Sequence, residues 1–207
     1  GFGQLGLGDS NHRGDASREM GANLLFVDLS GQTVRHVSAS SSHTCVALDN
    51  DRIKCWGDNT AGKLGIGNLT DKGAAPTDMA SLPYVATEAV FSLTPLRVTA
   101  STSHSCVHFA DNSLKCWGEN AFGALGLEET TDHGDGVGPM GDGLLFIDLG
   151  ANALELSSGY NNNCAILATG EVKCWGDNLQ GQLGQDNTFV RGDGLFEMGS
   201  SLAAVAF

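Results

Sequence analysis

The chain has 207 residues, and 24 Asp and Glu outweigh 11 Lys and Arg to give a formal net charge of −13. That balance argues against nucleic-acid binding, which needs clustered Lys and Arg to neutralise phosphates. With 41% hydrophobic and 17% charged residues the chain is not expected to be disordered. No apolar run approaches the ~18 residues of a membrane span, so no membrane insertion is expected.

The 29 glycines are about twice the ordinary share, and only 4 prolines accompany them. Such a composition reads as many short strands joined by tight turns. The chain starts at Gly1-Phe2-Gly3-Gln4, with no Met, no basic start and no apolar run, and it is read as a fragment of a longer protein. A Gly-x-Leu-Gly step opens it at Gly3 to Gly6. A module follows, Met20-Gly21 and then Leu24-Leu25-Phe26-Val27-Asp28-Leu29. Strands are expected over Val34–Ala39, residues 44–48 and Ile53–Gly57. The last of these ends in Lys54-Cys55-Trp56-Gly57-Asp58-Asn59, which recurs as Lys115-Cys116-Trp117-Gly118-Glu119-Asn120 and Lys173-Cys174-Trp175-Gly176-Asp177-Asn178. The tryptophans are 61 and 58 residues apart. After each comes the Gly-x-Leu-Gly step again, as Gly62, Leu64 and Gly65, as Gly123, Leu125 and Gly126, and as Gly181, Leu183 and Gly184. The module returns as Met140-Gly141 and Leu144-Leu145-Phe146-Ile147-Asp148-Leu149, and as Met198-Gly199 before residues 200–205. The middle repeat reads as lacking it, with residues 83–93 in its place.

The loops at residues 49–51, 110–112 and 168–170 each end on a residue that tolerates a left-handed backbone, Asp51, Asn112 and Gly170. A three-residue hairpin loop wants such a residue last. A unit of about 60 residues with three or four short strands cannot cover both faces of its own sheet, and radial stacking of units into a propeller solves this. A two-sheet sandwich is the competing all-β arrangement. The expected fold is all-β, a partial β-propeller of three to four blades of short antiparallel strands. Residues 1–32 form a partial blade; 33–95, 96–152 and 153–207 are blades, the last of them open to being incomplete.

The run Cys-Trp-Gly-x-Asn-x-x-Gly-x-Leu-Gly, preceded by His43-Thr44-Cys45, resembles the regulator of chromosome condensation repeat, over almost the whole chain. The resemblance implies seven-bladed propellers, which need roughly 400 residues at this period, so the remaining blades of a parent propeller count among the expected partners. Members of that family act as an exchange factor for the GTPase Ran, as a plant UV-B photoreceptor, or as propellers within ubiquitin ligases. The photoreceptor's Gly-Trp-Arg-His-Thr segment has no tryptophan here, where residues 40–44 read Ser-Ser-Ser-His-Thr. Trp56, Gly57, Asn59 and their counterparts are read as the structural motif of the repeat.

Six cysteines fall into pairs of one spacing, Cys45 with Cys55, Cys106 with Cys116, and Cys164 with Cys174. Counting back from a three-residue loop sets Leu48 opposite Arg52 and each cysteine opposite its mate. Opposed residues in antiparallel strands have Cα atoms about 4.5–5.5 Å apart, inside the reach of a disulfide. Cross-strand disulfides, free cysteines acting as small core hydrophobes, and a zinc site are the three readings. Disulfides would put the protein outside the cell, at the cell surface or in the periplasm; reduced cysteines would put it in the cytoplasm or nucleus.

Other signals have plainer readings beside the functional ones. Arg13-Gly14-Asp15 and Arg191-Gly192-Asp193 spell an integrin-type tripeptide, and His133-Gly134-Asp135 holds the same repeat position, which suits a turn. Asp132, Asp135 and Asp142 are a candidate calcium set or a solvated acidic loop. His43 and His104 precede the first cysteine of their pairs and read as hydrogen-bonded within the blade. Asn68-Leu69-Thr70 is an N-glycosylation sequon, of consequence only in a secreted eukaryotic protein. No nucleophile elbow or phosphate loop is present, and neither an enzyme activity nor a cofactor is expected. Strand motifs repeat closely while residues 68–93 and 128–143 diverge. The expected function is a non-enzymatic scaffold for protein or glycan binding through variable loops, with an unidentified protein as partner, and the acidic surface mildly favours a basic one. The alternative, from the resemblance, is a guanine-nucleotide exchange factor for a small GTPase. An open arc of blades is also expected to self-associate.

Overall fold

The computed structural model describes residues 1–88 and 92–207. Residues 89–91, within the divergent stretch 83–93, lie outside the described residues. Among the described residues nine strands form three separate antiparallel sheets. The first holds β1 (Val34–Ala39), β2 (His43–Leu48) and β3 (Ile53–Gly57). The second holds β4 (Pro95–Ala100), β5 (His104–Phe109) and β6 (Leu114–Gly118). The third holds β7 (Ala153–Ser158), β8 (Asn162–Leu167) and β9 (Val172–Gly176). This is an all-β arc of about three propeller blades.

Each second hairpin closes through the expected left-handed residue, with φ of 60° at Asp51, 68° at Asn112 and 86° at Gly170. Leu48 N–H donates to Arg52 C=O at 2.9 Å. That closure fixes the register, and Cys45 lies opposite Cys55, Cys106 opposite Cys116 and Cys164 opposite Cys174. The Cα atoms of the pairs are 4.0–4.1 Å apart and all three are bonded through sulfur. Among the described residues no cysteine is free.

The core lies between the sheets. Cys45, Ile53, Cys55 and Leu64 of the first blade meet Val98, Val107, Phe109 and Trp117 of the second. Cys106, Leu114, Cys116 and Leu125 meet Leu149, Ala165, Leu167 and Trp175 in the same way. A sheet buried on both faces reads as a near-continuous apolar strand, and β5 and β6 are buried at every position.

The middle repeat does carry the module that its sequence conceals. Val85 N–H donates to Ile53 C=O, Ile147 N–H to Leu114 C=O and Val205 N–H to Val172 C=O, at 2.8–3.0 Å. Val85, Ile147 and Val205 are therefore one position. The segment from Met79 to Val85 is one residue shorter than its counterparts and has Ala86 where the two most alike copies have Asp28 and Asp148, which is why the match does not stand out. No helix among the described residues is long and apolar enough to cross a membrane.

Candidate functional site

The repeat motif is machinery for joining blades. Trp56 Nε1–H donates to Gln4 C=O, Trp117 to Lys63 C=O and Trp175 to Ala124 C=O, each at 3.0 Å and each one repeat back. The same carbonyl takes a second donor from the residue after the histidine position. Thr44 Oγ1 reaches Gln4 C=O at 2.9 Å, Ser105 Oγ reaches Lys63 C=O at 2.8 Å, and Asn163 Nδ2 reaches Ala124 C=O at 2.7 Å. Both lone pairs of a buried carbonyl are thus used. The flanking glycines make room. A Cβ on Gly62 would lie 2.2 Å from Asp135 N, and one on Gly65 would lie 2.7 Å from Trp117 Nε1.

Asn59, Asn120 and Asn178 hold the loop that presents this carbonyl. Each Oδ1 accepts from the N–H of the step leucine, Leu64, Leu125 or Leu183, at 2.9–3.0 Å. Each Nδ2 donates onward, to Asn68, Glu129 or Asn187 C=O. One side chain must donate and accept at once, which a carboxylate does not do. Lys115 and Lys173 are buried and tie the modules in, donating to Thr87 C=O at 2.7 Å and to Leu149 C=O at 2.9 Å.

The histidines belong to the same joints. His43 Nε2 meets Ser105 Oγ at 2.8 Å, and His104 Nε2 meets Asn163 Oδ1 at 3.0 Å, both in the next blade. Ser40 and Ser101 hydroxyls face the Nδ1 atoms at 2.9 and 2.8 Å. Ser105 already donates to Lys63 C=O, so His43 donates from Nε2, and Asn163 Oδ1 likewise accepts from His104. Burial, reinforced by Lys63, lowers His43 to about 3, and burial lowers His104 to about 4, so both are neutral imidazoles. Beside them Lys63 bridges to Asp58, to Ser42 Oγ and to Thr102 C=O. Burial opposes the Asp58 charge, but the Lys63 ammonium and the Thr60 hydroxyl and N–H hold the carboxyl at about 2.

The tripeptides are turns. Gly14 and Gly192 have φ of 95°, and the unremarked counterpart Lys72-Gly73-Ala74 has 100° at Gly73. A carboxylate five residues on caps each, Glu19 on Gly14, Asp78 on Gly73 and Glu197 on Gly192, at 2.8–3.0 Å. Arg13 pairs with Asp9 at 2.6 Å and Arg191 with Glu197 at 3.9 Å, so neither guanidinium is presented outward. The candidate calcium carboxylates are likewise separated by task. Asp132 Oδ1 accepts from Asn120 N–H, Asp135 Oδ1 accepts from Val137 and Gly138 N–H, and Asp142 sits in a short 3-10 turn. Among the described residues no group of three or more His, Cys, Asp or Glu is placed to hold a metal.

Surface for recognition lies on the outer segments. Exposed apolar side chains gather in Leu25-Phe26, Leu145-Phe146 and Leu195-Phe196. A groove of about 340 Å³ between two repeats is lined by Phe146, Phe196 and Leu145, with Glu128 and Asp148 as its charged residues. A smaller groove of about 120 Å³ lies at the same repeat position, lined by Leu25, Phe26, Asp28 and Pro76. The sequence offered one signal for these grooves, a Leu-Phe pair in a module whose Leu29, Leu144, Ile147 and Leu149 are buried.

Residues 34–63 and 155–182 match the family described as the regulator of chromosome condensation (RCC1) repeat. The ultraviolet-B receptor UVR8 of Arabidopsis thaliana is 28% identical over 160 residues, covering 73% of this chain and 31% of the receptor. The X-linked retinitis pigmentosa GTPase regulator of Canis lupus familiaris is 27% identical over 154 residues, covering 73% of this chain and 14% of the regulator. The chain thus spans less than a third of the length of these relatives. Yeast RCC1 (Prp20), in its crystal structure bound to Kap60, superposes with a TM-score of 0.58 at 16% identity, over 81% of this chain and 36% of that one. The Cys-Trp-Gly strand, the Asn-held Gly-x-Leu-Gly loop and the indole-to-carbonyl joint recur once per blade, and two stretches of the chain match the regulator of chromosome condensation repeat.

Proposed function

We propose that this arc of blades is a non-enzymatic scaffold that binds a protein segment through its outer loops. The observation that carries the reading is a contrast between frame and rim. The joints are nearly identical from blade to blade, while large apolar side chains stand exposed on the outer segments, with Phe26 99% and Phe196 82% exposed. Rigid frames with exposed apolar loop residues are a recurrent design for recognition. Both rim grooves carry acidic residues and neither is lined by Lys or Arg. A chain of net charge −13 favours a partner segment that sets an apolar side chain beside Lys or Arg. Residues 1–32, 33–95, 96–152 and 153–207 are the proposed units, and further blades of a parent propeller would take the Gln182 carbonyl and Gly181 as their joint. The three disulfides favour an oxidising compartment.

Selection of random peptides on the oxidised chain tests this. Enrichment of apolar-basic motifs, lost in Phe146→Ser or Phe196→Ser variants that keep native stability, supports it; binders indifferent to both changes contradict it. A second reading, nucleotide exchange on a small GTPase, draws on the likeness to a relative named a GTPase regulator. Oxidised cysteines count against it, because small GTPases of that kind work in a reducing space, and a nucleotide-release assay decides it.

A further inference from the structure

We infer that Asn68 is an attachment site for an N-linked glycan. The inference rests on the oxidising compartment proposed above. Asn68, Leu69 and Thr70 are all exposed, in the loop that follows the first blade's Gly-x-Leu-Gly step. Asn68 Oδ1 accepts the Thr70 N–H at 2.8 Å, closing a small turn, and Asn59 Nδ2 pins the loop through the Asn68 and Thr70 carbonyls.

The internal repeats separate what the fold needs at this place from what it does not. Asp9 closes the same turn onto Asn11 N–H at 2.9 Å, and Asn187 closes it onto Phe189 N–H at 2.9 Å. Asn178 pins the Asn187 loop through the Asn187 and Phe189 carbonyls, just as Asn59 does for Asn68. Three of the four copies close this turn with an Asn or Asp oxygen at its first position, Glu129 holds that position in the remaining copy and pairs with His133 instead, and the third position is asparagine, threonine or phenylalanine. Fold explains Asn68; it does not explain the Thr70 hydroxyl. An Asn with Thr two residues later is what an oligosaccharyltransferase reads. Asn187-Thr188-Phe189 occupies the same turn without that hydroxyl and is a built-in negative control.

The chemistry is compatible with the folded loop. Asn68 Nδ2 loses one proton and forms a bond to C1 of a sugar, while the bond from C1 to the pyrophosphate of a lipid-linked oligosaccharide donor breaks. The turn uses Oδ1 and the pin uses main-chain carbonyls, so both survive the modification. The exposed side chain gives the glycan open solvent.

The test is secretion of the chain from eukaryotic cells behind a signal sequence, with intact-mass and non-reducing peptide mapping. The unmodified sequence is expected to carry one glycan, released by peptide:N-glycosidase with conversion of the Asn68 amide to a carboxylate. Asn68→Gln and Thr70→Val should abolish it, and Phe189→Thr should add a second glycan at Asn187. Secreted protein with all three disulfides formed and Asn68 bare overturns the inference. A glycan at Asn68 on a chain whose cysteines remain reduced supports the site and removes the compartment argument from beneath the scaffold reading.

Discussion

Trp117 donates its indole N–H to the main-chain carbonyl of Lys63 at 3.0 Å, across the boundary between two blades and 54 residues back in the chain. Trp117 is fully buried, and the ring packs against the disulfide-bonded hairpin of the preceding sheet. Replacing it with Phe keeps most of the packing and removes the bond, and should cost about 1–2 kcal/mol. Trp117→Ala should cost about 3–5 kcal/mol. Urea unfolding measures both; an unchanged stability in Trp117→Phe would mean that the hydrogen bond carries nothing.

Gly123 and Gly181 hold the same position in successive repeats, at φ of 67° and 76°. A Cβ at Gly123 would lie 2.3 Å from Asp193 N, whereas one at Gly181 meets nothing within 4 Å. Gly181→Ala should show only the left-handed backbone cost of about 1–2 kcal/mol. Gly123→Ala should add about 1–3 kcal/mol of overpacking against the next blade. Matching denaturation midpoints for the two variants would contradict the joint.

The neutral histidines make stability depend on pH. Both have folded pKa values below the ordinary 6.5, about 3 for His43 and about 4 for His104. The unfolded chain therefore binds more protons than the folded one across that window. Stability is full above about pH 6.5 and falls as pH drops, by at most about 1.4 kcal/mol per pH unit for each histidine. Asp58, held at about 2, adds a loss in the same direction at still lower pH. The third sheet has Asn162 where the others have His43 and His104. A His43→Asn, His104→Asn double variant should flatten the slope between pH 6.5 and 4. An unchanged slope would assign the acid sensitivity elsewhere.

The two ends of the arc are less covered than its middle. Val37 is 58% exposed where its counterpart Val98 is 1%, and Ile166 is 41% exposed where Ala47 is 0%. These faces should bring copies together at high micromolar concentration, and Val37→Lys with Ile166→Lys should reduce that association. Light scattering that finds a clean monomer for the unsubstituted chain would contradict this. The same exposure distinguishes the disulfides. Cys164 is half-buried, whereas Cys45, Cys55, Cys106 and Cys116 are sealed between blades. Mild reductant under native conditions should therefore open Cys164–Cys174 first, as read by alkylation and mass; simultaneous opening of all three would contradict the sealing.

Much of the fold was legible because its signals are local. Asp51, Asn112 and Gly170 each mark a three-residue loop, and loop length alone sets Leu48 against Arg52 and the cysteines against each other. The joints were not legible. Nothing in the sequence near Trp56 points to the Gln4 carbonyl, since main-chain acceptors leave no trace in residue identity. The module of the middle repeat was missed because only the buried apolar positions, Met79, Leu82 and Val85, persist there once one residue is lost and Ala86 replaces aspartate. Lys72-Gly73 was missed for a similar reason. The turn needs its glycine, while the aspartate that made the other tripeptides conspicuous is dispensable.

The stapled, outward-facing scaffold is tested most directly by non-reducing peptide mapping of native protein alkylated without reductant. The account predicts that all six thiols resist alkylation and that peptides map as Cys45–Cys55, Cys106–Cys116 and Cys164–Cys174. Six alkylated cysteines once the protein is unfolded would contradict it.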